Sequence, residues 1–465
     1  MNLEEGFKTT LWPLQAGAVA FSEELPGALI GHEVGCGKSA TALALAHRWG
    51  ARSVLIACPL SVVGVWPEQF RRHSSLDWHV ARLDSGSVAK KVEIAKGTVK
   101  MPQHAIVVNH ESLWREPFRS WALWHPWDLV IIDESHRLAA PGGRLSMFAA
   151  LLGRRVPRRL ALSGTPLSHS PLSIYGQGRF VYPNAFGTNF TELKAKICVM
   201  GGYRGPDKIP REIVGWRNMD WYEERLRLFC HRARKADVLK DLPPEVDAKR
   251  TCQLEPAARK IYRTLERDMI AEIQSGMVVA SNALTLLLRL QQLTGGHLQA
   301  AGGGDLEVVS QAKANLLAET LSEFETNEPI VVFARFTADI ETIRRVAEAQ
   351  GRRVGEISGR KRDLTPHGTM PEDIDVLAVQ IQAGGLGIDL SRSAIGIYYS
   401  TGFSLGEITQ ARGRQPRPGQ ARSVTHIALI VEKTIDQDIH DAIEERRDLV
   451  DGILERMRHG GSEAI

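Results

Sequence analysis

A glycine-rich stretch near the start of the chain has residue types suited to binding phosphate. The sequence HEVGCGKSATALALA begins at His32, after the apolar segment GALI, and runs into strong helix formers. A tight glycine turn that opens a helix directs backbone N–H groups at an anion, and the helix dipole favours negative charge there. The backbone groups expected to wrap a phosphate chain are those of Gly35, Cys36, Gly37, Lys38 and Ser39.

Two side chains of this loop add specific chemistry. Lys38 is placed to reach the β- and γ-phosphates of a nucleotide, and the Ser39 hydroxyl is placed to bind Mg²⁺. The strict pattern GxxxxGK[ST] is not met, because His32 occupies its first glycine position. Taken alone, the motif is therefore also compatible with an ordinary structural turn.

A second candidate follows about 95 residues later, where the apolar segment of LVIIDESH (129–136) ends in two adjacent carboxylates. Asp133 is suited to holding Mg²⁺, and Glu134 to orienting and deprotonating an attacking water. The alternative is an acidic helix cap after a buried strand. Farther on, RLALSGTPL (159–167) puts Ser163 and Thr165 at a strand end, where they could sense the γ-phosphate and the acidic pair.

Short apolar segments alternate with helical stretches in both halves of the chain, and this pattern predicts the elements that position these residues. The predicted strands are 28–30, 53–59, 105–110, 128–133 and 159–163, then 329–334, 353–358, 375–380, 395–400 and 424–431. Near-continuous apolar strands are typical of parallel sheets covered on both faces. We therefore predict two doubly wound α/β lobes, with the phosphate loop, the acidic pair and the Ser163 loop at the carboxyl edge of one sheet.

The predicted domain boundaries follow from changes in this pattern. Residues 1–170 form the first lobe, 171–304 a helical insertion and linker, 305–432 the second lobe, and 433–465 a C-terminal helix. Within the insertion, we predict helices at 221–240, 256–276 and 282–293.

Composition excludes several classes of protein. Of 465 residues, 43% are apolar and 24% charged, which are globular proportions and exclude disorder over the whole chain. No apolar run approaches the ~20 residues of a membrane helix, and no export signal is visible, so we expect no membrane partner. Five cysteines without a CxxC pair argue against a disulfide framework or zinc ribbon, and favour the reducing cytoplasm.

Basic residues cluster in three places although the net charge is only +4. The clusters lie within residues 144–159, 352–362 and 412–422, and the last contains no acidic residue. One such cluster is usually a solvated surface, but three in one chain favour a polyanion partner.

The motifs together resemble helicase superfamily 2, and in detail its Swi/Snf branch, over residues 11 to about 439. LWPLQ (11–15) is similar to the family's adenine-recognition motif, with Gln15 in the key place. DESH replaces the commoner DEAH and keeps both acids. HRARKADVLKDLPPEV (231–246) resembles the family's linking segment, and AGGLGIDL (383–390) its fifth motif.

The most specific match is QARGRQPRPGQ (410–420), against the family form QAxGRxxRxGQ. The resemblance implies that Arg414 and Arg417 are arginine fingers, which reach ATP held by the first lobe. It also implies that Gly387, Asp389 and Gln410 couple hydrolysis to movement. His32 departs from the family, whose members usually carry an acid there.

The resemblance implies two RecA-like lobes and a DNA-dependent ATPase that uses ATP and Mg²⁺. We expect an ATP-driven translocase on double-stranded DNA that remodels protein–DNA complexes or branched DNA, acting as a monomer in the cytoplasm of a bacterial or phage-infected cell rather than in a nucleus. Two alternatives remain: a strand-separating DNA or RNA helicase, and a DNA-binding scaffold without hydrolysis. The second alternative does not account for the intact charged residues of the motifs.

Overall fold

The apolar segments form two parallel sheets in the computed structural model. It describes residues 6–167, 170–204, 210–233, 245–274, 280–299, 306–365, 368–384, 388–402, 405–416 and 422–441. The chain divides into two compact units between Lys240 and Asp241, and each unit contains one of the sheets. Each segment predicted as a strand lies in one of the two sheets, so the prediction of two doubly wound lobes is confirmed.

The first sheet has seven parallel strands in the order β3-β4-β2-β5-β6-β1-β9. Its strands are β1 Gly27–His32, β2 Ser53–Cys58, β3 His79–Leu83, β4 His104–Asn109, β5 Leu129–Asp133, β6 Arg158–Leu162 and β9 Cys230–Ala233. A hairpin of β7 Cys198–Arg204 and β8 Pro210–Trp216 stands apart from it. The central strands are buried along their whole length because helices cover both faces of the sheet.

The helices of this unit connect the strands. They are α1 Pro13–Ser22, α2 Lys38–Arg48, α3 Trp66–His73, α4 Val88–Thr98, α5 His110–Leu113, α6 Phe118–Trp124, α7 Arg144–Gly153, α8 Ile174–Val181, α9 Phe190–Ile197 and α10 Met219–Arg227.

The second sheet has six parallel strands in the order β10-β17-β16-β13-β15-β14. They are β10 Val246–Cys252, β13 Ile330–Ala334, β14 Val354–Ile357, β15 Val376–Gln380, β16 Ile395–Tyr398 and β17 Thr425–Val431, beside a small hairpin of β11 His297–Gln299 and β12 Leu306–Val308. The helices are α11 Pro256–Gln274, α12 Ala280–Thr294, α13 Ala312–Ser322, α14 Thr337–Ala349, α15 Ile381–Gly384 and α16 Leu405–Arg412.

The segment predicted as a helical insertion is only partly helical. The helix predicted at 221–240 is wrong at residues 228–233, because α10 ends at Arg227 and β9 then pairs with β1. Its last part, residues 234–240, lies outside the described residues. β10 was also missed: its side chains are mostly exposed and polar, so the sequence shows no apolar run there. The boundaries at residues 170, 304 and 432 stay predictions. Residues 442–465, which include most of the predicted C-terminal helix, lie outside the described residues.

None of the helices in the described ranges is both long enough and apolar enough to cross a membrane.

Buried histidines are a feature of the first unit with consequences for its stability. Burial lowers the pKa of His32 to about 3 and the pKa of His73 and of His110 to about 4. The pKa is lowered for the same reason at His47, His125 and His231. These side chains are therefore neutral in the folded protein at pH 7.

We predict that the first unit loses stability as the pH falls from 7 to 5. The unfolded chain takes up these protons near pH 6.5 and the folded unit only at lower pH, which for His32, His73 and His110 is near pH 3–4. This difference costs up to ~2 kcal/mol per fully buried histidine at pH 5. Asp133 has a raised pKa, so its protonation favours the folded unit as the pH falls, but it is one group against six histidines. All ten tryptophans lie between residues 12 and 221, so tryptophan fluorescence in urea titrations reports on this unit alone. An unfolding midpoint that is the same at pH 7 and pH 5 would contradict the prediction.

Candidate functional site

The glycine-rich loop connects β1 to α2 and has the geometry of an anion-binding turn. Gly35 and Gly37 have φ values of +91° and +72°, in the left-handed region that glycine adopts without steric cost. Gly37 is the residue that caps α2, so Lys38 and Ser39 begin the helix. The helix starts where its first N–H groups and the positive end of its dipole face the loop.

Lys38 is held within this loop. Its Nζ donates to the His32 carbonyl at 2.8 Å and to the Glu33 carbonyl at 3.3 Å. A Cβ atom at Gly164, on the loop after β6, would lie 3.7 Å from the same Nζ. The ammonium therefore lies between the loops that follow β1 and β6, which are neighbouring strands.

The predicted acidic pair ends β5, the strand on the other side of β6. Asp133 and Glu134 are 9% and 7% exposed, and the Asp133 Oδ1 accepts the Glu134 backbone N–H at 2.9 Å. Burial, with the neighbouring Glu134 charge, raises the pKa of Asp133, and the charge of Lys38 acts against that rise. The three charged groups therefore interact electrostatically at one sheet edge.

The backbone around this pair is held in an uncommon conformation. Glu134 has a φ of +50°, in the left-handed region that non-glycine residues rarely adopt. His110 Nε2 donates to the Asp133 carbonyl at 2.9 Å, and Ser135 Oγ donates to Gln177 Oε1 at 2.8 Å. These buried hydrogen bonds on both sides of Glu134 fix the turn that aims its side chain.

Ser163 and Thr165 lie on the loop after β6, as predicted. Ser163 Oγ is buried and accepts the Thr165 backbone N–H at 3.1 Å. The link between this loop and the acidic pair is His136, which the sequence analysis did not assign. His136 Nδ1 lies 3.3 Å from Glu134 Oε2 and 3.3 Å from Ser163 Oγ.

Gln15 is in contact with the phosphate loop. It is buried in the first turn of α1, where its Oε1 accepts the Trp12 backbone N–H at 2.9 Å. Its Nε2 donates to the Cys36 carbonyl at 3.5 Å and lies against Gly37. The structure thus connects the residue predicted to recognise adenine with the residues predicted to hold phosphate, while adenine recognition itself stays a prediction.

A pair of histidines lies behind the loop and was also missed. His32 is fully buried, and its Nε2 lies 2.9 Å from Nδ1 of His231 on β9. Burial, together with His231 and Lys38, lowers the pKa of His32. The departure at His32 was visible in the sequence, but its partner is 199 residues away and no local pattern could identify it.

In the second unit, the structure connects two of the predicted segments. Arg414, 8% exposed, follows α16, and its carbonyl accepts the Leu390 backbone N–H at 3.1 Å. Next to Leu390, Asp389 Oδ1 accepts the backbone N–H and the hydroxyl of Ser391 at 3.0 and 2.6 Å. Gln410 lies half-buried on α16. Gly387 and Arg417 are outside the described residues.

Several arginines of the three basic clusters form contacts inside the protein, while the contact of the clusters with a polyanion stays a prediction. Arg159 is buried and donates to the Gly153 carbonyl, and Arg352 is buried and donates to four carbonyls. Ion pairs join Arg353 to Asp375, Arg412 to Asp247 and Arg422 to Glu328, each at 2.7 Å. The sequence shows the basic residues but not the carbonyls and carboxylates that the fold brings to them.

Comparison with known proteins gives one family. Residues 18–296 match the profile of a family described as the SNF2-related domain. The chain is 28% identical to the "SWI/SNF-related matrix-associated actin-dependent regulator of chromatin subfamily A-like protein 1 homolog" of Caenorhabditis elegans, over 95% of this chain and 61% of that protein. It is 23% identical to the "Chromodomain-helicase-DNA-binding protein 1-like" of Danio rerio, over 93% of this chain and 42% of that protein.

A solved structure of the Sulfolobus solfataricus SWI2/SNF2 ATPase core with double-stranded DNA aligns with 97% of this chain and 94% of its own, at 21% identity and a TM-score of 0.45. The chain spans less than two thirds of the length of the two curated relatives.

We predict that Gly37→Ala destabilises the first unit by ~1–2 kcal/mol, because alanine is strained at this φ and its Cβ would overlap Gln15 Nε2. The double variant Gln15→Ala/Gly37→Ala should be less destabilised than the sum of the two single changes, since it removes the overlap and keeps the strain. Gly97→Ala is the matched control: it lies in α4 with open space around it and should be neutral or stabilising. Urea titrations followed by tryptophan fluorescence measure all four, and strictly additive effects would argue against the contact.

Proposed function

Because this chain belongs to the SNF2-related family, we propose that it is an ATP-driven translocase on double-stranded DNA. The observation that carries the proposal is the meeting of three loops at one sheet edge. The loops follow the adjacent strands β5, β6 and β1, and they bring Lys38 and the acidic pair to the same place. A phosphate-binding loop beside two buried carboxylates is an arrangement suited to phosphoryl transfer to water.

In this proposal the loop binds the phosphates of ATP through backbone N–H groups, and Lys38 supplies the positive charge. The Lys38 ammonium donates to two neutral carbonyl oxygens of its own loop. Anionic phosphate oxygens accept stronger, charge-assisted hydrogen bonds, so a bound phosphate chain would compete well for this ammonium.

Asp133 and Ser39 suit Mg²⁺, since both offer the oxygen ligands that this ion prefers. The raised pKa of Asp133 marks a carboxylate whose charge is poorly compensated, as expected of a residue that shares its site with a cation. When bound, Mg²⁺ would neutralise charge on the phosphates.

Glu134 is the proposed base, which orients the attacking water and takes its proton. Its position depends on the left-handed turn and on His136, which lies between its carboxylate and the Ser163 hydroxyl. If the loop that contains Ser163 and Thr165 moved, the movement would therefore be transmitted to Glu134 through His136. We propose that this path couples the loop to hydrolysis.

Arg414 and Arg417 are the proposed arginine fingers, which stabilise negative charge that develops in the transition state. The hydrogen bond between Leu390 and Arg414 joins this arginine to the segment of Asp389. We propose that Gly387, Asp389 and Gln410 transmit the state of the nucleotide to the DNA.

We predict that Lys38→Ala lowers ATP turnover by about 10²-fold or more while the protein stays folded, since the loop keeps its glycines and its cap. Glu134→Gln should also lose turnover but keep nucleotide binding, because the amide preserves the shape of the side chain and cannot take a proton. The two variants are compared by steady-state turnover and by binding of a fluorescent ATP analogue. Lys90→Ala, an exposed position on α4, is the control. Turnover by Lys38→Ala above a tenth of wild type would contradict the assignment, and loss of nucleotide binding by Glu134→Gln would make Glu134 structural.

The proposal itself is tested by ATPase and displacement assays with different nucleic acids. We predict that duplex DNA stimulates turnover strongly, with a steep loss between low and moderate salt because backbone contacts release counterions. A third strand bound to the duplex should be displaced in an ATP-dependent way, while tailed duplexes are not unwound. Efficient unwinding, or stimulation by RNA alone, would favour a strand-separating helicase instead.

A further inference from the structure

Residues 256–267 of the helix α11, in the second unit, form two chemically different faces. One face is apolar: Ala258 and Tyr262 are buried in a cluster with Leu254, Val431 and Ile435. Tyr262 Oη accepts the Ile435 backbone N–H at 2.8 Å. The first half of the helix is therefore firmly attached to the end of β17 and the residues that follow it.

The other face carries basic side chains that line an open groove. The groove is lined by Pro256, Arg259, Lys260, Arg263, Thr264 and Arg267. Lys260, Arg263 and Arg267 are exposed. Within the described residues no carboxylate lines this groove. Glu266 and Glu432 line a neighbouring groove on the side of Tyr262, and Arg259 and Arg263 line both grooves.

Arg259 is the fixed member of the row. Its two terminal nitrogens donate to the Lys433 and Glu432 carbonyls, both at 2.9 Å. Because these acceptors are neutral backbone oxygens, the guanidinium keeps its positive charge at the base of the groove. Lys260, Arg263 and Arg267 line the same groove.

The spacing of the row suits a nucleic-acid strand. Residues 259, 263 and 267 are four apart, so they lie on one face at intervals of about 6 Å along the helix and span about 12 Å. The axis of duplex DNA advances about 3.4 Å per nucleotide, but each backbone winds around that axis, so this length corresponds to two or three phosphates of one strand.

We propose that the basic face of α11 is a contact surface for the sugar–phosphate backbone of double-stranded DNA. The inference rests on the proposed function for the presence of DNA, and it adds a surface that none of the sequence motifs contains. Charge complementarity carries it: the described residues that line the groove are four cations, Thr264 and Pro256. Such a surface binds by charge and spacing, so it should show no sequence preference.

The test compares two variants of the full chain that remove the same charge. Lys260→Gln/Arg263→Gln/Arg267→Gln changes the row, with Arg259 kept because it also anchors the helix. Lys90→Gln/Lys96→Gln/Lys100→Gln changes three exposed lysines on and just after α4 and serves as the control. Affinity for a fluorescent duplex is measured between 50 and 200 mM salt, and urea titrations check that both variants fold like the wild type.

The row variant should bind duplex at least tenfold more weakly at low salt. The slope of log affinity against log salt should become shallower by about 0.9 for each phosphate that the row no longer neutralises, hence by two to three. The control variant should bind like the wild type. Unchanged affinity and slope in the row variant, or an equal loss in both variants, would overturn the proposal.

This outcome is separate from that of the proposed function. If the wild-type protein binds duplex but its ATPase is not stimulated, the translocase proposal fails and the surface is still tested by the variants. If duplex DNA stimulates the ATPase and the row variant binds duplex like the wild type, only the proposal of the DNA contact surface is wrong. A row variant that binds duplex DNA like the wild type but no longer binds an acidic protein would also overturn the proposed DNA contact surface.

Discussion

Asp133, Glu134 and Lys38 bring three charges to a nearly buried sheet edge, and the surrounding residues limit the cost of keeping them there. The two carboxylates are adjacent in sequence, so each disfavours ionisation of the other in addition to the effect of burial. Lys38 offsets part of this cost, and its ammonium donates hydrogen bonds to the His32 and Glu33 carbonyls. These two hydrogen bonds hold the ammonium in the loop beside the acidic pair.

Neutral histidines near these three charges add no further charge to the sheet edge. His110 donates to the Asp133 carbonyl, and burial holds its pKa at about 4, so it supports the acidic turn without adding charge. His32 is a second example, in the loop that holds Lys38. Its imidazole pairs with His231 and stays neutral, because burial, His231 and the nearby Lys38 disfavour its protonation. The loop is thereby joined to β9 by a hydrogen bond between two uncharged rings.

The sequence alone predicts the structural features that depend on residues close together in the chain. The apolar segments predict the central strands, and the residues directly after them predict which side chains meet, because carboxyl ends of parallel strands share one edge. Contacts such as His32 with His231, and Gln15 with Gly37, depend on long-range packing that leaves no periodic signal. β9 was predicted as helix for the same reason: its four residues become a strand only by pairing with β1.

The arginines show why counting charges along a sequence misjudges a binding surface. With 58 basic and 54 acidic residues, the fold can give most cations a partner, and stretches without acidic neighbours in sequence gain them in space. Arg422 is an example, since its partner Glu328 is 94 residues away. The basic row on α11 is the opposite case: a search for stretches without acidic residues would overlook it. Glu266 adjoins it in sequence, yet it lines the next groove, which Arg259 and Arg263 also line, and not the groove of the row. Periodicity within an element, rather than the absence of acids in a run, is thus the sequence property that locates a basic surface.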